Sequence, residues 1–409
     1  MFLLLLIIGV IFLMRGNKQS LAYYFTLIVV ISLIGNLFIK ENYSVDTSDV
    51  LHVIWIFIVL AFTIYPWKSY YGVKEVTCSN PRRLKTVTII LIVFLLIQLV
   101  GCAILAFYVT STVEDINYFK YREGTTSYYY SLGINLTPYM LATLFYPLSY
   151  IMVPLHLYYL SKGEKSLSLW CLIASLLSVV YGLTYFSRAH LIHYLLIYLG
   201  SYWLLRDTLS QKSVKQIKKV MLIGGVAVLA YFISISITRF EGHDYDTHSG
   251  VSVSNSTVVN SLFDYLVMWW NNSEIMFCRF DWNTMGGQIA FGNLNRLISM
   301  FGVQLGPTAD VVMQQREALM KEYAGSFIGI GEYYLYDFGP IISIFVLSIY
   351  ASFVNRFKPN RHRISVDRLL YVSLLVLLPT FAIFYSILNV VLLTFVFLIP
   401  INMYLTARR

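Results

Sequence analysis

Charge is what this chain has least of. Only 12% of its 409 residues are Asp, Glu, Lys or Arg, against roughly 25% in an ordinary soluble protein. Hydrophobic residues make up 58% and mean hydropathy is +0.67. That balance excludes a soluble globular enzyme and predicts a polytopic membrane protein. Cysteine is scarce as well: Cys102 and Cys171 fall in apolar runs, Cys78 sits in a basic loop and Cys278 stands alone in a polar stretch. No disulfide pair and no thiolate metal site is expected from them. Met1 to Met14 is apolar but has neither a preceding basic region nor a small-residue cleavage site, so it reads as a short first helix and not a cleavable leader. Internal repeats, low-complexity tracts and a detachable soluble domain are missing too. Without two related halves, a transporter built from inverted repeats is disfavoured.

What is present is long apolar runs. With about 20 apolar residues needed per crossing, the runs at 1–14, 21–39, 51–67, 87–109, 138–160, 167–186, 190–205, 220–238, 326–354, 369–385 and 389–405 predict about 11 transmembrane helices. Most of the 30 basic residues fall in alternate loops: Arg15 and Lys18, Lys68 to Lys85, Lys162 and Lys165, Arg206 to Lys219, Arg356 to Arg368, and the final Arg408 and Arg409. By the positive-inside rule those loops are cytoplasmic. The net charge of +9 is then a signal for orientation and not for nucleic acid.

Three segments follow: an N-terminal bundle over 1–238, an outward-facing loop over 239–325, and a C-terminal bundle over 326–409. Residues at helical spacing (Val259, Leu262, Phe263, Leu266, Val267 and Trp270; then Leu294, Leu297, Ile298 and Phe301) predict that the loop is an ordered helical lid. A third piece is expected from Thr308 to Glu322. These helices should pack on the bundle or lie at the membrane interface, a depth that suits Trp269 and Trp270.

So much polar chain in a membrane protein suggests a polar substrate. Arg239 ends a span, where a guanidinium can make two charge-assisted bonds to phosphate or carboxylate or simply anchor the helix. His243 follows in a cluster with Asp244, Asp246 and His248, whose spacing is not diagnostic of a metal, and no metal or other cofactor is required. Arg279 and Asp281 stand among aromatics in Met276 to Trp282, a mixture suited to a glycan groove or to packing the lid. Arg296 is a further outer-face cation. Arg188 lies in a corner too short for a real loop, where a charge either snorkels or serves the bundle interior. Glu332 and Asp337 open the span at 326–354, and carboxylates at such depth are candidate counter-ions or proton acceptors. For Asp337 a structural cap or helix break at Gly339-Pro340 is the competing reading.

This layout, with Ser187-Arg188 at a corner between spans, a large outward loop, and Asp337-Phe338-Gly339 opening the next helix, resembles the bacterial oligosaccharide repeat unit polymerases of the Wzy type. Arg239 and Gly250 fit a spacing found in outer loops of part of that family, whereas a glycine common three residues after Asp-Phe-Gly is Ile342 here. The resemblance implies a GT-C-like all-α architecture in the bacterial inner membrane with a cytoplasmic C-terminus. It also implies a glycosyltransferase that polymerises undecaprenyl-pyrophosphate-linked oligosaccharide into O-antigen or capsule, alongside a chain-length regulator and a flippase. In that reading Asp337, Glu332 and His243 are the base or counter-ions, and Arg188, Arg239, Arg279, Arg296 and Asp281 bind pyrophosphate or glycan. An O-antigen ligase, a metal-dependent lipid-linked glycosyltransferase using Asp46 and Asp49, and a transporter of the lipid-linked unit are the alternatives.

Overall fold

The computed structural model describes residues 2–13, 17–37, 50–113, 137–187, 189–240, 257–299, 301–303, 328–384 and 386–407. Each apolar run expected to span carries helix. The helices are α1 (Phe2–Leu13), α2 (Leu21–Asn36), α3 (Val50–Ile64), α4 (Pro81–Thr112), α5 (Thr137–Phe145), α6 (Leu148–Ser161), α7 (Lys165–Ser175), α8 (Leu177–Leu183), α9 (Ala189–Leu205) and α10 (Gln211–Phe240). In the polar interruption come α11 (Thr257–Cys278) and α12 (Gln288–Ser299), followed by α13 (Gly329–Arg356), α14 (Val366–Leu375), α15 (Leu377–Thr380) and α16 (Leu388–Thr406). The described strands are β1 (Glu75–Thr77) and β2 (Arg363–Ser365), paired in parallel.

Among the described residues, 5 helices are long and apolar enough to cross a membrane: Val50–Ser69, which adds a 3-10 turn to α3, then α4, Lys165–Leu183 (α7 with α8), α13 and α16. Helices α1 and α2 are apolar but shorter. In α4 the exposed side chains recur every seven residues (Ile90 61%, Ile97 70%, Ile104 67%) and so do the buried ones (Leu95, Cys102, Val109). Both stripes are apolar or nearly so, which is the pattern of a helix facing lipid on one side and protein on the other. Asn80 accepts from the Arg83 amide and Pro81 takes the first turn, so the start of α4 is fixed by its own sequence.

Packing divides the chain into two compact units. The first holds Met1–Gly72, Phe240–Asn360 and Leu375–Leu393. Trp67 donates to the Tyr350 hydroxyl at 2.9 Å, Tyr70 donates to the Val354 carbonyl at 2.6 Å, and the Leu21 amide donates to the Tyr70 carbonyl at 2.9 Å. These bonds collect the segments near Lys18, Lys68 and Arg356 at one end of the unit. Further along α2, Asn36 donates to the Val267 carbonyl at 2.9 Å, Ser32 bonds the Leu266 carbonyl, and Trp269 donates to Ser32 at 2.6 Å. Gly35 makes this seat possible, because a Cβ there would stand 2.6 Å from Val267. Helix α11 is therefore packed into the bundle. Trp269 and Trp270 are 2% and 4% exposed, so they are core residues and not interfacial ones.

The second unit holds Val73–Arg239, Arg361–Leu374 and Thr394–Arg409. Its strands β1 and β2 are reinforced by an Arg363–Glu75 ion pair at 2.8 Å. Arg83 donates to the carbonyls of Tyr404 at 3.0 Å and Ala407 at 2.6 Å, and Lys85 approaches Glu164 at 3.5 Å. The basic segments of this unit also gather at one end.

Candidate functional site

The first turns of α13 carry two buried carboxylates, Glu332 and Asp337. Gly329 takes a left-handed φ of 75°, and the amides of Gly329 and Ile330 donate to the carbonyls of Phe384 and Ala382 at 3.3 and 2.8 Å. Helix α13 thus starts inside protein, with its first donors satisfied. Ten residues later Gly339 (φ 72°, ψ 171°) and Pro340 break the helix, and Ser343 donates back to the carbonyls of Tyr334 and Gly339 at 2.7 and 2.6 Å. The segment before the break is buried in protein. The segment after it exposes Ile341, Ile342 and Phe345.

Glu332 is 0% exposed and lies 3.5 Å from His52 Nε2, itself 1% exposed. Ser273 Oγ, also fully buried, is 2.7 Å from the same His52 nitrogen. Three elements distant in sequence (α3, α11 and α13) thus meet at one polar point. Trp270 and Phe277 cover the imidazole at 4.7 and 5.2 Å between ring centroids. The arrangement is not a relay, because the serine and the carboxylate converge on one nitrogen where a relay uses opposite ring positions. Neither Glu332 oxygen has a well-formed hydrogen bond. The carboxylate that the sequence offers as a counter-ion or proton acceptor has the His52 imidazole for its neighbour, and it is sealed from solvent.

Asp337 does different work. One carboxylate oxygen accepts from the Ile289 amide at 3.0 Å, the other from Ala290 at 2.9 Å. Its carbonyl accepts from Gly287 at 2.9 Å, and the Tyr336 carbonyl accepts from Met285 at 2.8 Å. Asp337 is therefore an N-terminal cap supplied to α12 from another helix. The cap and the break at Gly339-Pro340 are both present, and the capped helix is not its own. Gly286 and Gly287, with φ of 61° and 86°, turn the chain to meet it; a Cβ on Gly287 would lie 3.1 Å from the Phe338 ring. Beside the cap is a small recess lined in part by Tyr334, Asp337, Phe338, Ser386 and Asn389. The Tyr334 hydroxyl is buried there without a well-formed hydrogen bond.

Among the cations, Arg279 is exposed just past the end of α11, and Arg296 is half-buried in the last turn of α12, the position where a helix favours positive charge. Arg296 stands about 10 Å along the helix from the Asp337 cap, so the two do not pair. Asp281 is exposed and accepts from the Asn283 amide at 3.1 Å and side chain at 2.6 Å. Those donors hold its carboxyl below the usual range. Trp282 follows with φ 70°, a left-handed conformation costing an L-residue about 1–2 kcal/mol. Arg239 closes α10 by backbone, while its side chain, together with Arg188 and His243, lies outside the described residues. At the corner beside Arg188, Ser187 Oγ is 3.2 Å from His190 Nδ1, and the Tyr185 hydroxyl approaches the same ring at 3.0 Å. Among the described residues no three His, Cys, Asp or Glu side chains converge as a metal would need.

Protein-family models, curated proteins and solved structures offer no match to this chain. Geometry alone bears on function. Sequence reasoning missed His52, Ser273 and Tyr334. For His52 a signal existed: an ionisable side chain inside an apolar run warrants a search for its partner.

Proposed function

We propose that the chain is a polysaccharide polymerase acting on the outer face of a bacterial inner membrane, with the polar interruption outside and the C-terminus in the cytoplasm. It takes a growing glycan from undecaprenyl pyrophosphate and transfers its reducing end to a terminal hydroxyl of a new lipid-linked unit. The bond from the anomeric carbon to pyrophosphate breaks, a glycosidic C–O bond forms, and the hydroxyl proton passes to a base.

The observation that supports this reading most directly is the clasp between Asp337 and α12. The Asp-Phe-Gly element singled out by the resemblance grips the part of the interruption that bears Arg296. In the proposed site Arg279 and Arg296 stabilise the departing pyrophosphate, a role the resemblance also implies for Arg239 and Arg188. Asp337 spends one acceptor site per oxygen on α12 and keeps others for the recess, where a sugar hydroxyl would fit. Glu332 is a positioning residue, since it is sealed from substrate. Gathering of the basic segments at one end of each unit supports the orientation.

The test is the surface polysaccharide of cells carrying Arg296→Ala or Arg239→Ala at normal protein level. Short or single-unit chains are expected, and an unchanged ladder removes that residue from the site. Complete ladders that fail to reach the surface acceptor would point to a ligase. Lipid-linked units stranded on the cytoplasmic side would point to a transporter.

A further inference from the structure

Trp282 is 72% exposed in a left-handed conformation, and a bulky side chain held that way by a folded protein marks a place where something else repays the strain. Its ring contacts Phe280 at 5.6 Å, and Phe280 leans on Tyr336 at 5.3 Å between centroids. Tyr336 is on the last buried turn of α13 before the Gly339-Pro340 break. Immediately beyond the break, Ile341 (81% exposed), Ile342 and Phe345 point out of the protein on a helix apolar enough to cross a membrane. Exposed apolar side chains on a helix of that length and composition are suited to face lipid. The aromatic turn thus sits at the level where the lipid-facing surface begins. Past the turn, α12 exposes Phe291, and Phe301 (80%) and Val303 follow it. Exposed apolar side chains thus occur on both α13 and the segment that Asp337 clasps to it, and Arg279 is exposed as well.

We propose that the Phe280–Trp282 turn and the exposed face of α12 dock into the interfacial layer of the bilayer that α13 crosses, with the Trp282 indole as anchor at headgroup depth. The occupant of this surface is lipid. An indole suits that layer because its ring is apolar and its N–H is left for glycerol or water, and an amphipathic helix lies flat there. Docking would hold α12 from outside while Asp337 holds it from within. The inference stands apart from glycosyl transfer and survives if that reading fails.

The experiment uses the full chain in phosphatidylcholine vesicles. Tryptophan emission of the wild type minus that of Trp282→Phe isolates the indole in question. Expected is loss of most of this signal in vesicles whose acyl chains are brominated near the glycerol, less loss when bromine is near the chain ends, and none with aqueous iodide. Quenching by iodide, by the deep bromines above the shallow ones, or by none of them overturns the proposal. Should Trp282→Phe fail to fold, a nitroxide on Phe301→Cys, in a chain carrying Cys278→Ser, replaces it. Collisions with oxygen should then exceed those with a water-soluble nickel chelate, and the reverse order refutes docking.

Discussion

Leucine at His52 and at Glu332, singly and together, tests whether the buried polar point is a coupled unit. At 3.5 Å each group is the other's polar neighbour in a site sealed from water. Burying either one costs free energy that the partner only offsets, so the net worth of the pair is small. Removing one partner is another matter, because it leaves the second stranded at 0–1% exposure. His52→Leu and Glu332→Leu should each therefore cost about 3 kcal/mol or more, and the double replacement less than the sum, by at least about 2 kcal/mol. Ser273→Ala should cost about 1 kcal/mol through its 2.7 Å contact. Reversible unfolding in mixed detergent, followed by tryptophan emission, measures all four variants. Single costs that add to within about 0.5 kcal/mol would refute the coupling.

Asp337→Ala should free the start of α12 at a cost of about 1–2 kcal/mol, raising amide exchange across residues 288–299 while leaving α4 unchanged; equal protection in both proteins would show that the cap does not matter. Gly35→Leu places side-chain atoms where a Cβ already lies 2.6 Å from Val267, so α11 must shift, and a lower thermal midpoint of about 1–3 kcal/mol equivalent is expected. Burial pushes the Cys78 thiol up, whereas Cys278 is exposed; iodoacetamide at neutral pH should label Cys278 and spare Cys78, and equal labelling contradicts the packing around Cys78. The Asp281 carboxyl is held below its ordinary value by Asn283, so the turn it forms is intact above the ordinary aspartate range near pH 4 and opens only as pH falls through the lowered folded value. Emission from Trp282 should stay constant from neutral pH down to about 4, and a change near pH 6 would assign the titration elsewhere.

Helix positions were legible because apolar runs of spanning length leave the backbone few alternatives. Asn80 with Pro81, and Gly339 with Pro340, announce a start and a break in local chemistry alone. What local chemistry cannot show is the partner. Asp337 was visible as a cap, but the helix it caps lies far back in the chain, and periodicity does not reveal pairing at that distance. His52 escaped notice because one imidazole hardly changes the hydropathy of its run, and its significance depends on Ser273 and Glu332 arriving from elsewhere. For the helix that carries Trp269 and Trp270 the sequence leaves packing on the bundle and lying at the interface both open, and amphipathic character suits the two indoles to the second. Ser32 offers the Trp269 indole an acceptor inside the core, so burial leaves that donor satisfied, and the exposed role fell to Trp282, whose unusual backbone no composition reveals.

The ladder between Glu75–Thr77 and Arg363–Ser365 bears on how the molecule is made. Its two strands are separated by most of the polypeptide, and at a ribosomal pace of about 5–20 residues per second the earlier strand emerges long before its mate exists. Until then its edge is open to strangers. Closure of that pair must wait for every helix between the two strands to be made, which makes it a natural signature that the intervening chain is in place.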